Sequence, residues 1–180
     1  MTAQFHDQAV GDATVTESPR VQIDGLYRQY RNYVGTIALR ILGDMTAADD
    51  VVQDVFLTAY RKLAGLRDPN AVKFWLARIT VRVARRRLRL RKARRWIGLD
   101  SLPSAQSVAP GASPEQRAIL AAVYVVLQSL PANERIAWTL RHLEGETLPA
   151  IAELTGCSLA TTKRRISAAQ DAVRRSMGNG

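Results

Sequence analysis

Basic side chains are the residues of this chain best placed to bind a ligand. Residues 82–95 contain nine arginines and lysines and no acid. Like charges at this density repel one another along a helix, and a polyanion relieves that repulsion while its counterions are released. The segment therefore predicts contact with polyphosphate. A solvated helix end and a helix on a membrane surface remain open as alternatives.

A second basic set lies in a helix-turn-helix pattern at residues 147–166. Gly156 suits the turn, which needs a left-handed backbone, and Ser158 can cap the second helix. The expected small core consists of Ile151, Leu154, Cys157, Leu159 and Ile166. The exposed side of the second helix then offers Thr161, Lys163, Arg164, Arg165 and Ser167 to a major groove. An ordinary helical hairpin with a basic surface is the alternative.

Catalytic groups are scarce. One cysteine, Cys157, excludes an internal disulfide and a multi-cysteine metal site. His6 and His142 lie far apart, with no carboxylate motif around them. We therefore expect no enzyme activity, no cofactor and no metal. Cys157 is interpreted as a small apolar filler, and His142 as a surface residue.

The composition points to a folded protein with a polyanionic partner. Lys and Arg total 26 against 16 Asp and Glu, a net charge of +10, while 47% of the 180 residues are apolar. The first residues resemble no signal peptide. The longest apolar run, 118–127, is about half of what a bilayer requires. We expect a cytoplasmic protein that inserts into no membrane.

The elements that must position these side chains are all predicted to be helical. One helical face is formed by Leu26, Tyr30, Tyr33, Ile37 and Ile41. Gly43 breaks that helix, residues 46–49 resemble a capping box for the next one, and Gly65 ends it. Asn70 can cap a third helix over about 71–95.

The second half begins after a segment rich in glycine, proline and serine. Ser113 can cap a helix that has Pro114 at its first position, and residues 119–130 are apolar enough to be buried. Pro131 opens the next helix and Gly145 stops it. We predict an all-α protein of two small helical domains joined by a flexible linker: a tail at 1–24, a first domain at 25–95, a linker at 96–113, and a helix-turn-helix domain at 114–177.

Two blocks of sequence resemble bacterial RNA polymerase sigma factors of the extracytoplasmic-function group. The first runs from LYRQY at 26–30 through DVVQDVFL at 50–57 to FWLARI at 74–79, and resembles the family's second conserved region. The second runs from LPANER at 130–135 through LEG at 143–145 and IAELTG at 151–156 to TTKRRI at 161–166, and resembles the fourth. The short linker is also typical of this group.

The resemblance implies a transcription initiation factor. Its partners would be core RNA polymerase, through the β′ clamp helices and the β flap, then promoter DNA and an inhibitory anti-sigma factor. The implied docking residues on the β′ clamp helices are Asp50, Gln53, Asp54 and Leu57. Acids on one exposed face fit a basic partner.

The resemblance also assigns DNA contacts. For the −10 element, where a flipped base is captured, they are Lys73, Trp75, Arg78, Arg82, Arg85 and Arg86. For the −35 element, Lys163, Arg164 and Ser167 reach bases, whereas Arg141, Thr161 and Arg165 hold phosphates.

The sequence departs from the family pattern at several places. Arg82 and Arg86 stand where the family commonly has Asn and Asp, so −10 specificity is not carried over. Thr162 replaces a β-branched apolar residue, for which we expect a mild loss of core, and Ala168 replaces a larger side chain.

Two other classes of protein remain as alternatives. A stand-alone helix-turn-helix regulator would form a stable dimer and bind duplex DNA tightly without polymerase. An RNA- or membrane-surface-binding protein would depend on residues 82–95 and not on Lys163 and Arg164.

Overall fold

Helices form nearly all of the structure. The computed structural model describes residues 19–66, 68–96 and 113–177, and within these ranges there are seven α-helices and no strand. They are α1 (Pro19–Leu42), α2 (Met45–Lys62), α3 (Val72–Trp96), α4 (Pro114–Ser129), α5 (Ala132–His142), α6 (Leu148–Thr155) and α7 (Leu159–Met177). Two short 3-10 turns, Leu63–Gly65 and Pro69–Ala71, join α2 to α3. The all-α prediction is confirmed.

The first bundle consists of α1, α2 and α3, packed on a shared apolar core. Fully or nearly fully buried side chains come from all three helices, such as Ile41, Val55 and Leu76. On the predicted face of α1, Ile37 is buried and Tyr33 is half-buried. The 3.6-residue spacing of these side chains explains why each helix turns one face inward.

Helix α1 begins earlier than the sequence indicated. We expected a loose tail as far as residue 24, but residues 19–24 are helical and Ile23 packs against the core. Proline is favoured at a first helical position because its missing N–H has no intrahelical role there, and Pro19 occupies that position. The rest of the predicted tail, and residues 97–112 of the predicted linker, lie outside the described residues.

The start of α2 corrects a second prediction. Gly43 has a φ of +64° and Asp44 is extended, so Asp44 is the N-cap and its carboxylate accepts a hydrogen bond from the Ala47 N–H at 3.1 Å. The capping box predicted at 46–49 is therefore wrong, because those residues already lie inside the first turn. Likewise, Asn70 lies within a 3-10 turn and donates its N–H to the Asp68 carboxylate at 2.9 Å.

The second bundle consists of α4 to α7. Its start is as predicted: Ser113 Oγ accepts from the Gln116 N–H at 3.2 Å, and Gln116 Oε1 accepts from the Ser113 N–H at 3.0 Å. The prediction that 119–130 is buried is wrong in part, because Ile119 is 54% and Val125 66% exposed. Only one face of α4 packs on α5 and α7.

The helix-turn-helix is formed by α6 and α7. Gly156 ends α6 with a φ of +66°, and Ser158 Oγ accepts from the Thr161 N–H at 3.2 Å, so both predicted turn residues are confirmed. Leu159, expected in the core, is 43% exposed. It is the first residue of α7, where its side chain has neighbours on one side only.

Thr162 is accommodated better than the sequence suggested. Its side chain is fully buried, yet its hydroxyl donates to the Ser158 carbonyl oxygen at 3.1 Å and lies 3.3 Å from Cys157 Sγ. A buried hydroxyl that keeps a hydrogen bond loses little stability.

The two bundles pack against each other. Ile136, Leu140 and Ile151 of the second bundle belong to the same buried cluster as α1–α3. Polar contacts accompany the apolar ones. Tyr124 Oη donates to the Arg40 carbonyl oxygen at 2.9 Å, while Arg40 Nη1 donates to the Leu143 carbonyl oxygen at 2.7 Å.

Candidate nucleic-acid interface

The outer face of α7 carries the residues predicted to read DNA bases. Lys163, Arg164 and Ser167 are exposed. The opposite face is anchored, since Ala169 and Val173 are buried against the core of the second bundle. Burial of one face leaves the other projecting outward, as a recognition helix requires.

Of the three predicted phosphate contacts, Thr161 and Arg165 belong to α7 and Arg141 belongs to α5. Thr161 and Arg165 are half-buried, and Arg141 is exposed on α5. Arg141 Nη1 donates to the Glu146 carbonyl oxygen at 3.0 Å, which ties the end of α5 to the loop before α6. A guanidinium has five N–H donors, so this bond is compatible with a phosphate contact as well.

Helix α3 presents most of the predicted −10 residues on one side. Lys73, Arg78, Arg82 and Arg86 are exposed, and Trp75 is half-buried. Positions four apart share a helix face, so Arg78, Arg82 and Arg86 form a single basic row. Arg94 and Arg95, at the end of the basic run at 82–95, belong to helix α3, but their side chains are outside the described residues.

Lys73 is held in place by an aromatic ring. Its ammonium lies 4.9 Å from the centre of the Tyr33 ring, within the range in which a cation is attracted to the face of an aromatic ring. This contact links the start of α3 to α1.

Arg85 is separated from the rest of the −10 set. It turns toward the second bundle, where Nη2 donates to the Thr155 carbonyl oxygen at 2.9 Å. Burial, followed by the nearby charges of Arg89 and Arg165, lowers the pKa of Arg85. In this arrangement the structure brings Arg85 to the helix-turn-helix and not to the exposed row on α3.

The acidic face of α2 has partners that sequence reasoning missed. Asp50, Gln53 and Leu57 are exposed and Asp54 is half-exposed. Arg87 of α3 spans both acids, with Nη1 2.9 Å from Asp50 Oδ2 and Nη2 2.8 Å from Asp54 Oδ2.

These ion pairs extend along the groove between α2 and α3. The hydrogen bond that Arg87 donates to Asp54, against a smaller effect of burial, raises the pKa of Arg87. Farther along the groove, Arg91 Nη2 lies 2.7 Å from Asp44 Oδ2. The sequence does contain a signal for this pairing. The acids at 44–54 and the acid-free run of bases at 82–95 belong to the same predicted helical domain, so they can meet in the folded chain.

Cys157 lies in the turn of the helix-turn-helix, near Arg85. Its Sγ is 3.2 Å from Thr155 Oγ1 and 3.3 Å from Thr162 Oγ1. Burial alone raises the pKa of the thiol, but the two hydroxyls and the charges of Arg165 and Arg85 outweigh it and hold that pKa below its usual range. Cys157 is half-buried and its Sγ contacts two hydroxyls, so its surroundings are more polar than the interpretation as an apolar filler suggested.

His142 lies at the end of α5 with its ring 4.8 Å from that of Trp138. Burial and then the charge of Arg141 lower the pKa of His142. The residue is exposed, in agreement with its interpretation as a surface histidine.

Residues 19–66, 68–96 and 113–177 offer neither a metal site nor a membrane-spanning helix. No three side chains of His, Cys, Asp or Glu group there in a way that could hold a metal ion. None of the described helices is long and apolar enough to cross a membrane.

Each of the two bundles matches a known protein-family model. The family model for sigma-70 region 2 matches residues 26–95, and the model for sigma-70 region 4 matches residues 120–170.

Three curated relatives are named as RNA polymerase sigma factors. The chain is 31% identical over 185 residues to the RNA polymerase sigma-H factor of Pseudomonas aeruginosa, covering 96% of this chain and 94% of that protein. It is 29% identical to the ECF RNA polymerase sigma-E factor of Escherichia coli K12, covering 96% and 95%. It is 34% identical to the probable RNA polymerase sigma factor RfaY of Xanthomonas campestris over 80% of this chain, but spans only 37% of that relative's length.

Solved structures share the fold. The sigma factor RpoE of Bartonella quintana, in complex with the anti-sigma factor NepR, superimposes with a TM-score of 0.66 at 21% identity, covering 87% of this chain and 97% of that one. CnrH, in complex with the cytosolic domain of CnrY, gives a TM-score of 0.61 at 24% identity, covering 89% and 90%.

Both conserved regions are thus matched in their expected order, and a relative above 30% identity is matched along nearly its whole length. The chain belongs to the sigma-70 family of RNA polymerase sigma factors, in its extracytoplasmic-function group.

Proposed function

We propose that this protein binds core RNA polymerase in the cytoplasm, directs it to promoters with −35 and −10 elements, and assists melting without covalent chemistry of its own. The first domain, α1 to α3, docks on the β′ clamp helices and reads the −10 element. The second domain, α4 to α7, contacts the β flap and reads the −35 element, and the residues between α3 and α4 act as the linker.

The observation that carries the proposal is the outer face of α7. Lys163, Arg164 and Ser167 project from a helix whose inner face is fixed by Thr162 and Ala169. Lysine and arginine donate to the guanine acceptors of the major groove. We assign these three residues to bases, and Arg141, Thr161 and Arg165 to phosphates.

The −10 element is assigned to α3. The exposed row of Arg78, Arg82 and Arg86 supports contact with the DNA backbone, and half-buried Trp75 offers a ring on which an unstacked base can stack. Lys73 and Arg85 complete the set. Arg85 becomes available to DNA only when its bond to Thr155 is released.

Polymerase docking is assigned to the exposed face of α2. Leu57 is 56% exposed and lies one helical turn from the exposed residues Gln53 and Arg61. An apolar contact surrounded by polar groups is typical of interface centres. Gln53 lies beside it. On docking, basic groups of the polymerase replace Arg87 as the partners of Asp50 and Asp54.

Control by an anti-sigma factor is part of the proposal. Among the solved structures that share this fold, RpoE of Bartonella quintana is a sigma factor in complex with the anti-sigma factor NepR, and CnrH is in complex with the cytosolic domain of CnrY. In this chain such a partner would cover one or both DNA-binding faces while the bundles remain packed together.

The test is run-off transcription on a promoter library with purified core polymerase, with and without this protein. We expect a small set of promoters sharing −35 and −10 sequences to be transcribed only in its presence. Failure to co-elute with core polymerase, together with tight operator binding as a dimer, would instead identify a stand-alone regulator.

A further inference from the structure

A cavity of about 460 Å³ lies where the last third of α3 faces the loop between α4 and α5. Leu88, Arg89 and Lys92 line it from the first bundle, and residues 128–133 with Arg135 line it from the second. Both bundles therefore contribute walls to the same cavity.

The charge of the lining is of one sign. Arg89, Lys92 and Arg135 are cationic, and no Asp or Glu lies among the described residues of the lining. Arg135 is only 3% exposed. A concave surface with low-dielectric walls and charges of one sign concentrates counterions, so this cavity attracts anions.

Several cations crowd together beside the cavity. After burial, the charges of Arg89, Arg165 and Arg82 lower the pKa of Arg85 on the same side of α3. An anion in the cavity would lie next to Arg89 and would relieve part of this repulsion.

The backbone of α5 adds donors to the cavity. Ala132 and Asn133 are the first two residues of α5 and both line the cavity. The N-cap, Pro131, provides no side-chain cap. The first N–H groups of a helix have no acceptor within it, and they favour anions together with the helix dipole.

We propose that this cavity binds a small phosphate-bearing anion that bridges the two bundles. Its volume falls in the range of about 300–1,000 Å³ for small-molecule sites, and it is far too small to admit a DNA duplex. Because both bundles contribute contacts, the bound anion stabilises the arrangement in which they are packed together. The site does not depend on the promoter contacts proposed above.

The experiment is calorimetric titration of the full chain with tripolyphosphate and, separately, with ATP at low ionic strength. For both probes, we expect Arg89→Ala/Lys92→Ala to weaken binding at least tenfold. The matched control is Arg61→Ala/Lys62→Ala, which removes the same charge at the exposed end of α2 and should change affinity less than twofold.

Equal affinity for the two probes assigns binding to phosphate alone. Tighter binding of ATP adds a contact of its nucleoside with Leu88 and Leu130. Either result supports the site.

A variant of the opposite wall separates the cavity from the basic helix. Asn133→Asp places a carboxylate in the cavity, while an acid in the first turn of α5 is favourable for the helix, so the fold is expected to remain intact by circular dichroism. We expect tripolyphosphate affinity to fall at least fivefold. The proposal is overturned if the wild-type chain shows no saturable binding, if the control loses as much affinity as the cavity variant, or if Asn133→Asp has no effect.

Discussion

Arg87 sets the charge that the acidic face of α2 presents to a partner. It bonds both Asp50 and Asp54, although these side chains are 51% and 44% exposed. Exposed ion pairs contribute about 0–1 kcal/mol each. Replacing Arg87 by a basic group of a partner therefore costs little free energy. The pairing orients the two carboxylates side by side without withdrawing them from solvent.

This arrangement predicts opposite effects for the two sides of the ion pairs. Asp50→Asn/Asp54→Asn should weaken binding to core polymerase while leaving the fold intact, because the acids are the proposed docking groups. Arg87→Ala should bind at least as well as wild type, since it leaves both acids and removes their competitor. Pull-down with core polymerase measures both variants, and wild-type binding by the double Asn variant would contradict the docking face.

A second prediction concerns promoter recognition. Lys163→Ala or Arg164→Ala should reduce the preference for the cognate −35 sequence by about 1–3 kcal/mol, the range for a good bidentate base contact. Arg174→Ala is the control, because Arg174 is exposed near the end of the same helix. Competitive run-off transcription on cognate and altered promoters provides the measurement. An unchanged preference in both test variants would refute the base contacts.

At the scale of elements, Asp44 links the cap of α2 to α3. Although burial alone raises the pKa of Asp44, the hydrogen bond from Ala47 and the charge and hydrogen bond of Arg91 hold it below its ordinary value of 3.8. A lowered folded-state pKa contributes stability that is complete above the unfolded value and is lost as pH falls through the folded one.

The corresponding test uses two substitutions. Asp44→Ala should lower the free energy of unfolding by about 1 kcal/mol or more through loss of the cap. Asp44→Asn retains a capping side chain and should cost less, but it should also remove this residue's contribution to acid sensitivity. Urea unfolding from pH 3 to pH 7 distinguishes them, and identical pH profiles for Asp44→Asn and wild type would exclude the ion pair as a source of stability.

Two glycines with the same backbone offer a matched comparison. Gly43 and Gly156 have φ of +64° and +66°. Alanine at either position therefore lowers stability by about 1–2 kcal/mol, because the left-handed conformation is unfavourable for a residue with a Cβ atom. At Gly156 the added Cβ meets nothing within 4 Å, whereas at Gly43 it lies 2.8 Å from the Tyr124 ring. Gly43→Ala should therefore be the more destabilising in urea unfolding, and equal losses would show that the ring moves freely.

The features that sequence predicted correctly are local. The Ser113 capping box and the Gly156 turn each depend on residues within four positions, so spacing alone reveals them. The cap of α2 was assigned wrongly because Asp44 and Thr46 are both suitable caps, and only the backbone at Gly43 selects between them. The exposure of Ile119, Val125 and Leu159 depends on which helices pack nearby. The pairing of Arg87 with acids 33 and 37 residues away is equally nonlocal.

On the scale of the whole molecule, the contact between bundles depends on a few arginines. Arg40 bonds the Leu143 carbonyl and lies 3.1 Å from Glu144 Oε1, and Arg85 bonds the Thr155 carbonyl. Each such hydrogen bond contributes about 1 kcal/mol net. The arginines therefore add to the apolar packing a contribution that a partner can remove by competing for them.

Removing these arginines should shift the molecule toward separated bundles. We expect Arg40→Ala/Arg85→Ala to have a larger radius of gyration in small-angle X-ray scattering than wild type, and Arg28→Ala/Arg61→Ala, with the same charge loss on exposed positions, to be unchanged. If the two double variants give the same radius, apolar packing alone holds the bundles together.

The bond from Arg85 to Thr155 has a thermodynamic corollary. Arg85 is half-buried and faces the second bundle, so in the proposed −10 contact its guanidinium reaches a promoter phosphate only after this bond is released and the side chain turns outward. By reciprocity, a partner that separates the bundles and thereby raises the affinity for nucleic acid is itself bound more tightly, by the same factor, when nucleic acid is present. Release of the helix-turn-helix from Arg85 and binding of the melted strand are then two measures of one equilibrium between packed and separated bundles.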